Sequence, residues 1–126
     1  MDLRVARHTD NLGSVIDFYT KIIGLEVFGE FNNHDGYDGV FLGEKGNSWH
    51  LEFTTSTSST NHLFDPDDLL VFYPSTTNEY DFIMNSITSK SIEIHVPANP
   101  YWQKNGILVH DPDGYGIIIS PLRIKE

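Results

Sequence analysis

Leu12, Val15, Ile16, Tyr19, Ile22 and Ile23 recur at i, i+3, i+4, i+7, i+10 and i+11, the stripe of a helix that buries one face. Ahead of it, Leu3 and Val5 alternate with Arg4 and Ala6 on the way to His8 and Thr9, which predicts a strand with one apolar side. Asp10 or Asn11 supplies the helix cap, and Gly24 stands where a left-handed residue would end the helix. Leu25-Glu26-Val27-Phe28-Gly29-Glu30-Phe31 then reads as a second strand, followed by a polar loop from Asn32 to Asp38. A hairpin closes the passage: Gly39-Val40-Phe41-Leu42-Gly43, the turn Glu44-Lys45-Gly46-Asn47, and Ser48-Trp49-His50-Leu51-Glu52-Phe53.

The same order then returns. After the hydroxyl-rich stretch Thr54-Thr55-Ser56-Thr57-Ser58-Ser59-Thr60-Asn61, whose small side chains bury too little to order themselves, Asp68-Leu69-Leu70-Val71-Phe72-Tyr73 forms a strand ended by Pro74. Thr76-Thr77-Asn78-Glu79 has the form of a capping box, and Tyr80, Ile83, Met84 and Ile87 give the buried stripe of the helix it opens. Ile92, Ile94 and Val96 alternate along a further strand, and Asn99-Pro100-Tyr101-Trp102-Gln103 reads as a loop. The final hairpin is Gly106 to His110, the turn Asp111-Pro112-Asp113-Gly114, and Tyr115 to Ser120. Strand, helix and three strands thus occur twice, in a single domain: unit one about 1–54, a linker about 55–67, and unit two about 68–126. A small duplicated sheet makes a cup, the natural place for a ligand.

A chain of 126 residues with 39% hydrophobic and 13% aromatic residues has the material for one core. With no cysteine, disulfides, zinc ribbons and thiol catalysis are excluded. The formal charge of −10 repels phosphate backbones and anionic membranes, so nucleic acid and membrane are not expected partners. Met1-Asp2-Leu3-Arg4 begins no basic region leading into an apolar stretch, and no segment approaches the ~20 apolar residues of a membrane span, so a cytoplasmic protein is expected. No phosphate loop, dinucleotide fingerprint or paired zinc motif occurs.

Ile16-Asp17-Phe18-Tyr19-Thr20-Lys21-Ile22-Ile23-Gly24-Leu25 and Asp111-Pro112-Asp113-Gly114-Tyr115, set in this element order, resemble the glyoxalase, bleomycin-resistance and dioxygenase superfamily, also called the vicinal oxygen chelate superfamily. The resemblance spans nearly the whole chain. It implies an α+β fold of two tandem βαβββ units forming a curved mixed sheet, with helices on the convex face; duplicated βαββ units of ferredoxin type are the alternative. It also implies a homodimer.

In metal-dependent relatives four strands each supply one His, Gln or Glu to a divalent ion. Matched to that pattern, the four positions fall on Arg4, Glu52, Asp68 and Ile118. A guanidinium has no lone pair to donate, and an isoleucine has no ligating atom. No metal or other cofactor is therefore expected. The alternative is a divalent ion held by His8, His50 and Glu52, since two histidines and a carboxylate make a facial triad. His34, His62, His95 and His110 fall in or near loops, where solvent exposure is expected.

The leading expectation is a glyoxalase- or bleomycin-resistance-like protein that binds a small polar or cationic molecule in the cup. Arg4, His8, His50, Glu52 and Asp68 would orient it, and Phe72, Tyr101, Trp102 and Ile118 would supply apolar or stacking surface. The alternative is a metal-dependent lyase, isomerase or dioxygenase of the glyoxalase type using Glu52. Between them lies a metal-free enzyme, with Glu52 as base and Arg4 stabilising an enolate-like charge.

Overall fold

The computed structural model describes residues 1–125, which divide into two compact units, Met1–His62 and a second beginning at Leu63. In the first, β1 (Leu3–His8), α1 (Leu12–Asp17), β2 (Glu26–His34), β3 (Tyr37–Gly43) and β4 (Trp49–Thr55) follow in chain order. Their sheet runs β1-β4-β3-β2, with β1 and β4 parallel and the other pairs antiparallel. Asn11 is the cap that forms, its side chain accepting from the Ser14 amide at 3.0 Å. Past Asp17 the helix widens into a π-helical turn, Phe18–Ile22, and Gly24 takes the left-handed conformation at φ 91°.

Strand parity builds the core of this unit. Val40, Leu42, Leu51 and Phe53 point to one face of the sheet and are buried, as are Val15, Phe18, Tyr19 and Ile22 of the helical segment. Tyr19 stacks on Phe53 at 5.0 Å, and the Arg7 guanidinium lies 5.0 Å from the centroid of the same Phe53 ring. Arg4, Ala6 and His8 have the opposite parity to Arg7, so they stand on the sheet's other face.

The hydroxyl-rich segment is better ordered than its composition suggests. The Thr60 amide and hydroxyl donate to the Asp10 carboxylate at 2.8 and 3.0 Å, and His62 Nε2 donates to the His8 carbonyl at 2.6 Å. The two Thr60 bonds, the amide first, hold the Asp10 carboxyl below its ordinary range. The expected polar loop from Asn32 to Asp38 is also tighter than the composition suggests. β2 runs on to His34 and only Asp35 and Gly36 make the turn, with Asn33, Asp35 and Gly36 all at positive φ.

The second unit holds β5 (Leu69–Phe72), α2 (Thr77–Ser89), α3 (Pro100–Asn105), β6 (Ile107–His110) and β7 (Gly116–Ile119), with its sheet in the order β5-β7-β6. Leu108, Val109, Ile117, Ile118 and Ile119 are buried along β6 and β7. The N-cap forms as expected, the Glu79 amide donating to Thr76 Oγ1 at 3.1 Å, while the Glu79 carboxylate accepts from the Ser75 hydroxyl at 2.7 Å. In the last turn Asp111, itself buried, accepts from the amides of Asp113 and Tyr115, both at 3.0 Å, and Gly114 supplies a φ of 91°.

Two local expectations fail here. Ile92 to Val96 is not a strand; it makes one bridge, His95 to Leu108, between Ser91 at φ 54° and Pro97. Ile94 and Val96 are exposed, so their alternation earns no burial. Asn99 to Gln103 is not a loop: Asn99 caps α3 by accepting from the Tyr101 amide at 2.9 Å, and Pro100 occupies the first turn. Among the described residues no helix is long and apolar enough to cross a membrane.

Candidate functional site

The open face of the first unit's sheet is built by register. Arg4 on β1 sits beside His50 on β4; Ala6, Glu52 and Phe41 share the next row; His8, Thr54 and Gly39 share the one after. Arg4 Nε donates to His50 Nε2 at 2.9 Å, so in this arrangement the imidazole is neutral with its proton on Nδ1. Arg4 Nη1 lies 3.9 Å from Glu52 Oε2, and the guanidinium carbon is 4.7 Å from the centroid of the Phe41 ring. The Arg4 side chain is 51% exposed and that of Glu52 only 15%, so the pair reaches from the surface into a more enclosed layer.

Aromatic rings frame this group. The His50 ring stands edge-on to Phe28 at 5.3 Å and to Phe41 at 5.8 Å, and Phe28 and Phe41 stack at 6.0 Å. A register shift between Val27 and Gly29 places Phe28 at a bulge, where its ring reaches Gly43: a Cβ on Gly43 would lie 3.5 Å from Phe28 and 3.3 Å from His50. Gly39 is covered in the same way by Phe31, whose ring leaves no room for a Cβ. Glycines on this face thus give the aromatic rings somewhere to lie.

His8 belongs to a separate network further along. Its Nδ1 is hydrogen-bonded to Thr54 Oγ1 at 2.8 Å and its Nε2 to Ser56 Oγ at 3.1 Å, with Tyr37 edge-on at 5.7 Å. In register His8 lies four strand positions from Arg4 and its neighbour His50, ~13 Å along the strand direction. One ion held at about 2 Å by both imidazoles would need them far closer. Among the described residues no three His, Asp or Glu side chains form a group able to hold a metal ion.

The remaining expected site residues lie in the second unit. Asp68, exposed just before β5, accepts from the Asp65 amide at 3.3 Å and so closes a local turn. Phe72 ends β5, half-buried. Tyr101 is 52% exposed and stands edge-on to Trp102 at 4.8 Å; Trp102 in turn tilts against Tyr73 at 6.5 Å, which carries Arg123 over its ring at 4.0 Å. Ile118 has no exposed surface at all, being paired with Val71 and Leu108 in the sheet. His95 and His110 stack at 4.2 Å, and burial first, then the His95 neighbour, pushes the His110 imidazole below its ordinary range.

Arg4, His50 and Glu52 are therefore brought together, and His8 is not part of their group. Phe41 and Phe28 were missed from sequence. Phe41 was legible, because it shares a row with Glu52 once the hairpin turn is placed. Phe28 was not, since the bulge that turns it has no clear sequence mark.

A βαβββ unit followed by a second unit opening with strand and helix and closing with a hairpin places the chain in the glyoxalase, bleomycin-resistance and dioxygenase class, the vicinal oxygen chelate superfamily. The chain matches the YycE-like N-terminal domain over residues 3–54 and the YycE-like C-terminal domain over residues 67–120. Protein YycE of Bacillus subtilis (strain 168) is 38% identical over 117 residues, covering 92% of this chain and 84% of that one. Within the superfamily, the chain belongs to the YycE-like family. A crystal structure of a YycE protein from Bacillus subtilis aligns with a TM-score of 0.85 at 36% identity, over 99% of this chain and 90% of the other. Glyoxalase I of Leishmania major aligns at 0.72 with 22% identity, over 95% and 85% of the two chains. The fosfomycin resistance protein FosX of Listeria monocytogenes aligns at 0.66 with 14% identity, over 93% and 88%. The last two likenesses are of fold.

Proposed function

We propose that the protein binds a small polar molecule on the open face of its first sheet, without the divalent ion of metal-dependent relatives. The observation that carries this reading is the engagement of Arg4 with His50 at 2.9 Å beside Glu52 at 3.9 Å. Where a chelating relative offers a lone pair, this chain offers a fixed cation. Its neighbouring histidine already spends the Nε2 lone pair on that cation. Phe28 and Phe41 give the ligand an apolar wall, and the enclosed Glu52 carboxylate gives it an acceptor. The cationic ligand suggested by the overall charge is disfavoured at this face by Arg4 itself. The protein works in the cytoplasm as a homodimer, in keeping with the superfamily.

If the face is catalytic, Glu52 is the base and Arg4 the group that stabilises developing negative charge. Elemental analysis of protein purified without added metal, followed by chelator challenge of ligand binding, tests the reading. Substoichiometric metal and binding indifferent to chelator support it. One bound equivalent of a divalent metal, with binding lost on chelation, favours instead a metal-dependent lyase, isomerase or dioxygenase using Glu52.

A further inference from the structure

Resting on that binding reading, we infer that the ligand is a small carboxylic acid carrying a hydrogen-bond donor, a hydroxyl or an ammonium, next to its carboxylate, on a flat apolar body. The guanidinium of Arg4 has five N–H donors, and among the described residues only the Nε donor is spent, on His50. Nη1 lies 3.9 Å from Glu52, an ionic contact beyond hydrogen-bond length, and Phe41 covers one face of the plane. What remains, on a side chain that is 51% exposed, is the pair of terminal nitrogens Nη1 and Nη2, whose N–H bonds run parallel in a planar guanidinium. That fork matches the two oxygens of a carboxylate. His50 fixes the plane of the fork and is a positioning residue.

Glu52 sets the rest of the ligand. Its carboxylate is largely enclosed, and an ionised carboxylate only accepts hydrogen bonds. With Arg4 just beyond bonding distance, the oxygens are best satisfied by a donor from the ligand. The same charge repels a second anionic group placed there, and the net charge of −10 works against polyanions at long range. A positive and a negative side chain 3.9 Å apart thus complement a ligand whose carboxylate and donor are also adjacent. Phe28, 49% exposed and stacked on Phe41, offers the apolar surface on which the remainder of the molecule lies.

The test is a titration of the ¹⁵N-labelled full chain with phenyllactate, phenylalanine, hydrocinnamate, which lacks the donor, and phenethylamine, which lacks the carboxylate. Phenyllactate or phenylalanine is expected to shift the amides of Arg4, Phe41, His50 and Glu52 saturably. Hydrocinnamate is expected to bind about tenfold more weakly, and phenethylamine not at all. Arg4→Gln, at an exposed position, weakens the acids about tenfold or more, and Arg4→Lys, which keeps the charge but not the fork, also weakens them. Equal binding of phenethylamine and the acids, or Arg4→Gln binding them as wild type does, overturns the inference while leaving a binding face in place. No saturable shift from any of the four overturns both the inference and the binding reading beneath it.

Discussion

Ile118, matched from the sequence to a ligand position of metal-dependent relatives, is completely buried in the second sheet. The side chain has 0% exposure, its strand neighbours are Val71 and Leu108, and a Cβ on Gly106 would come within 2.7 Å of its Cγ2. Packing this close leaves no slack to absorb a deletion. Ile118→Ala removes three buried carbons and should cost about 3 kcal/mol, the middle of the range for such truncations. With a urea dependence of about 1.5 kcal/mol per molar, the unfolding midpoint falls by about 2 M. Ile118→Val should cost only about 1 kcal/mol. Ile118→Glu introduces a ligand-type side chain but buries a carboxylate, and should be less stable at neutral pH than the alanine variant. Urea unfolding followed by the fluorescence of Trp49 and Trp102 reads all three. A loss below about 1 kcal/mol for Ile118→Ala, or a glutamate variant as stable as wild type, would refute the packing argument and place this residue at an open hollow.

Gly106→Ala sets a methyl against Ile118 and 3.0 Å from the Ile119 carbonyl oxygen, a backbone atom that cannot swing aside; a loss of about 1–3 kcal/mol in the same urea assay is expected. Thr76→Ala removes the cap of α2 and should cost about 1 kcal/mol, visible as a lower thermal midpoint by circular dichroism. Because the His110 imidazole is held below its ordinary 6.5, the unfolded chain takes up the proton first. Its contribution to stability is full above that value and is lost as the pH falls toward the folded value. His110→Gln should flatten the stability profile in that window, measured by urea midpoints across pH; an unchanged profile would show that another group is responsible.

Much of this was legible in the sequence, for reasons that differ by element. The period of the first helix and the capping box of α2 are local signals, and both elements formed where expected. Arg4 and Glu52 came together because strand parity and parallel pairing leave few registers open. Ile92 to Val96 misled because alternation signals a strand only if one face finds cover, and here Ile94 and Val96 remain exposed. Asn99-Pro100 was a helix start read as loop chemistry, the two sharing the same residues. The hydroxyl-rich segment reads as a linker from composition alone, whereas Thr60 and Ser56 find partners distant in sequence, Asp10 and His8. Phe28 joined the site through a bulge, which no periodicity reports.

The geometry also gives the polar face a division of labour. His50 is held by Arg4 on one side and by Phe28 and Phe41 on others, and on the proposed reading Arg4 and Glu52 are the charged groups offered to a ligand. His8, fastened to Thr54 and Ser56, ties the segment after β4 to the first strand. A loss of His8 should therefore register in stability, and a loss of Arg4 in binding.

On the proposed reading, Arg4, His50 and Glu52 form a face for a small polar ligand and not a seat for a divalent ion. Titrating Mn(II) into the ¹⁵N-labelled chain tests it directly, because the paramagnetic ion broadens the amides nearest to where it rests. No selective, saturable broadening is expected at Arg4, His50 and Glu52. One-to-one broadening centred on those amides and reversed by chelator would contradict it.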